Sequence, residues 1–129
     1  MSENVEPIPV ILIVDDTPAN IEVLAATLGD DCQVKVAASG ERALEIANQS
    51  RKPDLILLDY MLPDVNGNIV CQAIKSNPEF ENIKIVIVSG VVKQDEIAQL
   101  LKSGAEGFIR KPFDVTELTG KITEVLQMK

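Results

Sequence analysis

The chain has 129 residues, which suits one domain with a single well-buried core. Its composition is 46% hydrophobic but only 3% aromatic, with no tryptophan, so aliphatic side chains must fill that core. The net charge of -8 argues against a nucleic-acid grip, which needs a basic surface, and the lack of histidine excludes histidine triads and histidine-ligated zinc.

Residues 1–8 lack the basic start and apolar stretch of a signal peptide and read as a flexible lead. The domain is expected over 9–129. Its first strand is 10–14. Thr17 then stands at the cap of a helix with Pro18 in its first position, and Ile21, Leu24, Ala25 and Leu28 supply the buried stripe. A strand over 33–37 leads to Ser39, the cap of a second helix with Ala43, Leu44 and Ala47 inward. The third strand is 54–58. Its helix is expected to bury Ile69, Val70, Ala73 and Ile74 and to end before Pro78. The fourth strand, 83–88, precedes a helix with Ile97, Leu100 and Leu101 inward. A short fifth strand, 107–110, precedes a last helix with Leu118, Ile122 and Val125. Short apolar runs alternating with helical periods imply a parallel sheet covered on both faces. Cys32 and Cys71 lie outside any Cys-x-x-Cys pattern and read as small apolar residues of a reducing compartment. No apolar run reaches membrane-spanning length, so a cytoplasmic location without membrane attachment is expected.

The chemistry gathers where strands end. Asp15 and Asp16 follow the first strand, Asp59 the third, Ser89 the fourth and Lys111 the fifth. In an open α/β sheet those ends face one crevice, where ligands bind. Three carboxylates there repel one another and raise each other's pKa unless a cation intervenes, and their hard oxygens suit Mg²⁺. The lysine and the hydroxyl then stand ready for an anion held against the metal. That is a phosphoryl-transfer site. Each residue alone has an ordinary reading as a turn, cap or solvated side chain; the coincidence of five positions at the strand ends overrides it. Asn20 reads as an exposed helix position.

Val14-Asp15-Asp16, Leu57-Leu58-Asp59-Tyr60-Met61-Leu62-Pro63-Asp64-Val65-Asn66-Gly67, Val88-Ser89-Gly90 and Gly104-Ala105-Glu106-Gly107-Phe108-Ile109-Arg110-Lys111-Pro112-Phe113 together resemble the receiver domain of two-component response regulators. The likeness spans nearly everything after residue 9. It implies a CheY-like, flavodoxin-like (βα)5 fold with a doubly wound five-stranded parallel sheet of order 2-1-3-4-5. It also implies that Asp59 accepts the phosphoryl group as an aspartyl phosphate. Asp16 would bind Mg²⁺ (or Mn²⁺) directly and Asp15 largely through water, with the Met61 main-chain carbonyl completing the protein ligands. Ser89 and Lys111 would bind the phosphoryl oxygens, and Ser89 and Phe108 would form the switch. A cis Lys111-Pro112 bond fits a lysine that turns back into the crevice while the chain leaves for the last helix.

Two positions depart from the usual pattern: Asn66 where aspartate is frequent and Gly90 where alanine is common. Met61 and Val91, at positions that tune dephosphorylation, are both apolar and offer nothing to orient a water, which suggests a longer-lived phosphoaspartate. A flavodoxin-type cofactor binder would need a Ser-, Thr- or Gly-rich loop where Asp15-Asp16 stand. An aspartate-nucleophile phosphatase usually carries a second acid where Met61 stands, and a receiver that had lost phosphorylation would lack a key acid or the lysine. The chain is therefore read as a regulatory phosphoacceptor rather than an enzyme acting on an external substrate. Beyond transfer to Asp59 and autodephosphorylation, its product is a conformational state. A histidine kinase or histidine phosphotransfer protein would be the donor. The face of the fourth helix, fifth strand and fifth helix, roughly 91–128, would address an output domain, a partner protein or a second copy in a phosphorylation-dependent homodimer. Both a stand-alone receiver and the amino-terminal receiver of a longer regulator fit the sequence.

Overall fold

The structure is a computed structural model describing residues 8–49, 51–90 and 92–128. Residues 1–7 of the expected lead, and Val91, lie outside the described residues. Five strands, β1 (Val10–Val14), β2 (Gln33–Ala37), β3 (Leu55–Leu58), β4 (Lys84–Ser89) and β5 (Gly107–Arg110), alternate with α1 (Pro18–Leu28), α2 (Gly40–Ala47), α3 (Gly67–Lys75), α4 (Gln94–Lys102) and α5 (Val115–Leu126). All strand pairs are parallel, in the order β2-β1-β3-β4-β5, as expected.

Every residue of β1 and β3 is buried, because helices cover both faces of the sheet. Alternate side chains divide between two cores. Leu12, Val14, Ile56, Leu58, Ile85 and Ile87 pack with Ala43, Val70, Ile74 and Leu100 from α2, α3 and α4. Ile11, Ile13, Leu55, Leu57, Val86 and Val88 pack with Leu24, Leu28, Leu118, Ile122 and Val125 from α1 and α5. With both faces occupied, polar groups at the strand ends are left to the two edges of the sheet.

The helix faces differ from expectation in two places. Ile69 and Leu101 are exposed at 47% and 45%, while their neighbours Val70 and Leu100 are buried. Successive helical residues point about 100° apart, so only one member of an adjacent apolar pair can face the sheet. Cys71, not counted in the α3 stripe, takes a buried place there. Thr17 occupies the cap position of α1, but its side chain makes no capping bond. Ser89 is the last residue of β4 rather than the first after it.

Candidate functional site

The carboxyl ends of β1, β3, β4 and β5 bring the expected residues together. Asp15 and Asp59 continue the ladder by backbone, with Asp15 N donating to Ala37 O at 3.1 Å and Asp59 N to Val14 O at 2.9 Å. Both carboxylates therefore leave rigid strand ends. Asp15, Asp59 and Ser89 are the buried polar or charged residues of the described chain, at 1%, 8% and 2% exposure, whereas Asp16 is exposed. One oxygen from each of Asp15, Asp16 and Asp59 lies within 4.8 Å of the others.

Lys111 enters from the end of β5, where Lys111 N donates to Ser89 O at 3.2 Å. The Lys111–Pro112 bond is cis, as expected. The ammonium lies 3.0 Å from Asp15 Oδ2 and 3.8 Å from Asp59 Oδ2. Asp15 Oδ1 accepts from Thr17 N at 3.0 Å and from the Asn20 amide at 3.5 Å. Asn20 is thus a half-buried neighbour of Asp15 rather than an exposed helix position, because the first turn of α1 folds back over the strand end. Asp59 Oδ1 accepts a long bond from Met61 N, 3.4 Å.

Burial holds the Asp59 carboxyl above its ordinary value. Lys111 pulls it down, Asp15 pushes it up, and the Met61 amide and Ser89 pull it down more weakly. Desolvation, not repulsion among the three acids, is thus the larger cause. In their ionised forms three carboxylates face one ammonium, which leaves the cluster with a charge that a divalent cation would balance. Hard oxygens from two adjacent loops are the donor set Mg²⁺ prefers, so these residues fit that ion.

The sequence pattern described as the response regulator receiver domain matches residues 11–123. The chain belongs to this family. It is a phosphoacceptor-type regulatory module of two-component systems. The receiver is 35% identical over 120 residues to response regulator PleD of Caulobacter vibrioides, a match covering 92% of this chain and 26% of PleD. It therefore spans about a quarter of that relative's length. A response regulator receiver domain protein (CheY-like) of Methanospirillum hungatei superposes with a TM-score of 0.82 at 30% identity, covering 92% of this chain and 94% of that one. The receiver domain of sensor histidine kinase PA1611 of Pseudomonas aeruginosa, with a magnesium ion coordinated in its active site cleft, superposes with a TM-score of 0.83 at 26% identity. That match covers 93% of this chain and 98% of the other.

Around this receiver's crevice the structure adds residues that sequence reasoning missed. The Tyr60 hydroxyl donates to Glu96 Oε2 at 3.2 Å, while Glu96 Oε1 accepts from Lys93 N at 2.9 Å. The residue after Asp59 is thereby tied to the first turn of α4. Burial and the Glu96 carboxylate raise the Tyr60 phenol above its ordinary pKa. Asp64 binds Gly40 N and Glu41 N, each at 2.9 Å, across the start of α2. A lone tyrosine and an acid between Pro63 and Val65 were the only signals for these ties. The other expected switch residue, Phe108, is half-buried against the α4-side core, with the Arg110 guanidinium 5.5 Å from its ring centroid. A groove of about 340 Å³, lined by Asn20, Val23, Leu24, Lys111, Pro112 and Phe113, borders the crevice on the α1 side. Among the described residues no helix is long and apolar enough to cross a membrane.

Proposed function

We propose that Asp59 is the phosphoacceptor of this receiver. The observation that carries the reading is its position: a buried carboxylate at a rigid strand end, 3.8 Å from Lys111 and within 4.8 Å of two further acids. An Asp59 oxygen forms the new bond to phosphorus as the donor's bond breaks, leaving an aspartyl phosphate. The donor is a phosphohistidine of a histidine kinase or phosphotransfer protein, since this chain contains no histidine. Phosphoryl transfer of this kind asks mainly for positioning and charge neutralisation, which suits a nucleophile as weak as a carboxylate. Lys111 neutralises a phosphoryl oxygen as a point charge, and Ser89 donates a hydrogen bond to another. Asp16, Asp59 and the Met61 carbonyl would hold Mg²⁺, with Asp15 acting largely through water. Mn²⁺, with similar ligand preferences, would substitute. When bound, the ion supplies alignment and charge neutralisation at the phosphoryl oxygens. Transfer to Asp59 and its hydrolysis are the whole chemistry of the module, which works as one unit over 9–129 and resides in the cytoplasm.

Phosphate on Asp59 gives Ser89 a new acceptor and draws the end of β4 toward the crevice. Phe108 then turns inward beneath α4, and the α4-β5-α5 face changes shape for an output domain, a partner protein or a second receiver. The half-burial of Phe108 supports this, because a ring already at the core margin has a more buried position to gain. The apolar Met61 favours a long-lived phosphoaspartate; the companion position, Val91, lies outside the described residues.

Intact mass measured after incubation with acetyl phosphate and Mg²⁺ should rise by one phosphoryl group in the wild type and not at all in Asp59→Asn. Undiminished labelling of the variant would overturn the assignment. Amide-shift mapping with beryllofluoride should carry changes from Asp59 and Ser89 through β5, and Ser89→Ala should shrink them.

A further inference from the structure

The loop that follows Asp59 is pinned at two points. Its ends are closed by Gly67 N donating to Tyr60 O at 2.7 Å. Gly67 has to be glycine there, because a Cβ would sit 2.8 Å from the Asp59 carbonyl and 2.9 Å from Tyr60 Cα. Asn66 then caps α3 through Ile69 N at 3.1 Å. The tip is held by a different element. Asp64 spreads its carboxylate across the first two amides of α2, Oδ1 to Gly40 N and Oδ2 to Glu41 N, both 2.9 Å. Those two bonds draw the Asp64 carboxyl below its ordinary value. Beside them the contact is tight: a Cβ on Gly40 would lie 2.5 Å from Val65 Cγ2 and 2.9 Å from Val70 Cγ2.

Between the closed base and the held tip stand Met61 and Leu62. Leu62 and Val65 pack on the core, but the Met61 side chain is 56% exposed and fixes nothing. The path of the Met61 peptide is therefore set by the pins on either side. Helix α2 has its own cap, Ser39, whose Oγ accepts from Arg42 N at 3.1 Å, so it does not need Asp64 to begin.

We infer that Asp64 is a positioning residue: by clamping the β3–α3 loop to the start of α2, it holds the Met61 carbonyl where the metal requires it. The inference rests on the proposed role of the Met61 carbonyl. Asp64 is not one of the residues that would hold the metal, which are Asp15, Asp16 and Asp59 among the acids. It acts through the loop, as outer partners of metal ligands do, and losses of such partners typically cost 10–100-fold in affinity.

The test is the dissociation constant for Mg²⁺ of the unphosphorylated chain, measured by titration calorimetry. Emission from Tyr60 provides a second readout, since it is the only tyrosine and tryptophan is absent. Asp64→Ala should weaken Mg²⁺ about tenfold or more. Ser39→Ala, which removes a cap from the same helix without freeing the loop, should bind Mg²⁺ as the wild type does. If Asp64→Ala fails to fold, Gly40→Ala takes its place by wedging Val65 away from α2, and the same weakening is expected. Wild-type affinity in Asp64→Ala, or equal weakening in Asp64→Ala and Ser39→Ala, overturns the inference and leaves Asp59 as acceptor untouched. A wild type that binds no Mg²⁺ overturns both.

Discussion

The two edges of the sheet carry the same kinds of charged residue in opposite conditions. At the amino edge, before β4 and β5, Lys75 meets Glu106 at 2.6 Å and also donates to Ile83 O at 3.0 Å. Glu106 spends its other oxygen on Ile85 N, 2.8 Å away. Nearby, Asp54 accepts from Val10 N at 2.7 Å. The stem of Lys75 lies against Gly104, where a Cβ would come within 3.0 Å of it and whose φ of +115° suits only glycine. Lys75 and Glu106 are matched one to one there, and both, like Asp54, also complete the backbone. At the carboxyl edge a single lysine is shared by two buried acids with a third beside them, and Asp59 has only one long backbone bond. A saturated ion pair locks strands and helices together. An unsaturated one leaves room for a ligand to finish it, and this difference separates a structural site from a reactive one.

Exchanging the lysines should break the comparison most sharply. Lys111→Ala removes the cation that faces the developing phosphoryl charge, and we expect the rate of labelling by acetyl phosphate to fall about 10²–10³-fold. It also leaves Asp15 buried and unpaired, so the metal-free protein should lose stability, and Mg²⁺ should restore much of that loss. Labelling at the wild-type rate would remove Lys111 from the reaction. Lys75→Met keeps the stem against Gly104 but strands Glu106 without its cation. Unfolding in urea should report a loss of about 1–3 kcal/mol. Mg²⁺ should not recover it, and the labelling rate per folded molecule should stay at the wild-type level. A stability loss in Lys75→Met that Mg²⁺ cancels would mean that the two edges are coupled rather than separate.

A smaller effect is expected from the ion alone. A ligand that binds only the folded state raises stability by mass action, so millimolar Mg²⁺ should raise the melting temperature of the wild type by a few degrees. Asp16→Ala should remove that rise while leaving the metal-free melting temperature nearly unchanged, because Asp16 is exposed. A wild-type increment in Asp16→Ala would shift the binding role to Asp15 and Asp59.

The carboxyl edge was more legible in the sequence than the amino edge. Buried parallel strands read as unbroken apolar runs, so Asp15, Asp59 and Lys111 stood out where those runs stopped. Lys75, Glu106 and Asp54 interrupt no such run; Lys75 sits at a helix end and pairs with a residue 31 positions away. The same limit hid Asp64 on α2 and Tyr60 on Glu96, which are 23 or more and 36 positions apart. Local pattern carries strand ends, but bonds between elements depend on how the elements pack. Ile69 and Leu101 were misread for a nearer reason: adjacent apolar residues in a helix leave its inward face ambiguous until the sheet chooses it.

The smallest expected effect concerns Asp59 without metal or phosphate. Its carboxyl is raised from the ordinary 3.8, chiefly by burial, so the folded chain holds the proton more tightly than the unfolded one does. Where the unfolded state binds fewer protons, stability falls as pH rises. The favourable contribution is therefore complete below the unfolded value and is lost as pH climbs through the folded one. At neutral pH the ionised, partly desolvated Asp59 is a net cost to the metal-free fold. Asp59→Asn keeps the shape and removes that cost, so metal-free Asp59→Asn should melt a few degrees above the wild type at pH 7, with roughly 4 °C per kcal/mol expected in a domain of this size. The gap should narrow as pH is lowered toward the ordinary carboxylate value. Mg²⁺ should narrow it too, by giving the ionised carboxylate a partner that asparagine lacks the charge to match. Melting curves at several pH values, with Mg²⁺ and with chelator, read all of this at once. A metal-free Asp59→Asn less stable than the wild type at pH 7 would mean that Lys111 more than offsets the burial of Asp59, and that the carboxyl edge is as well matched as the amino edge.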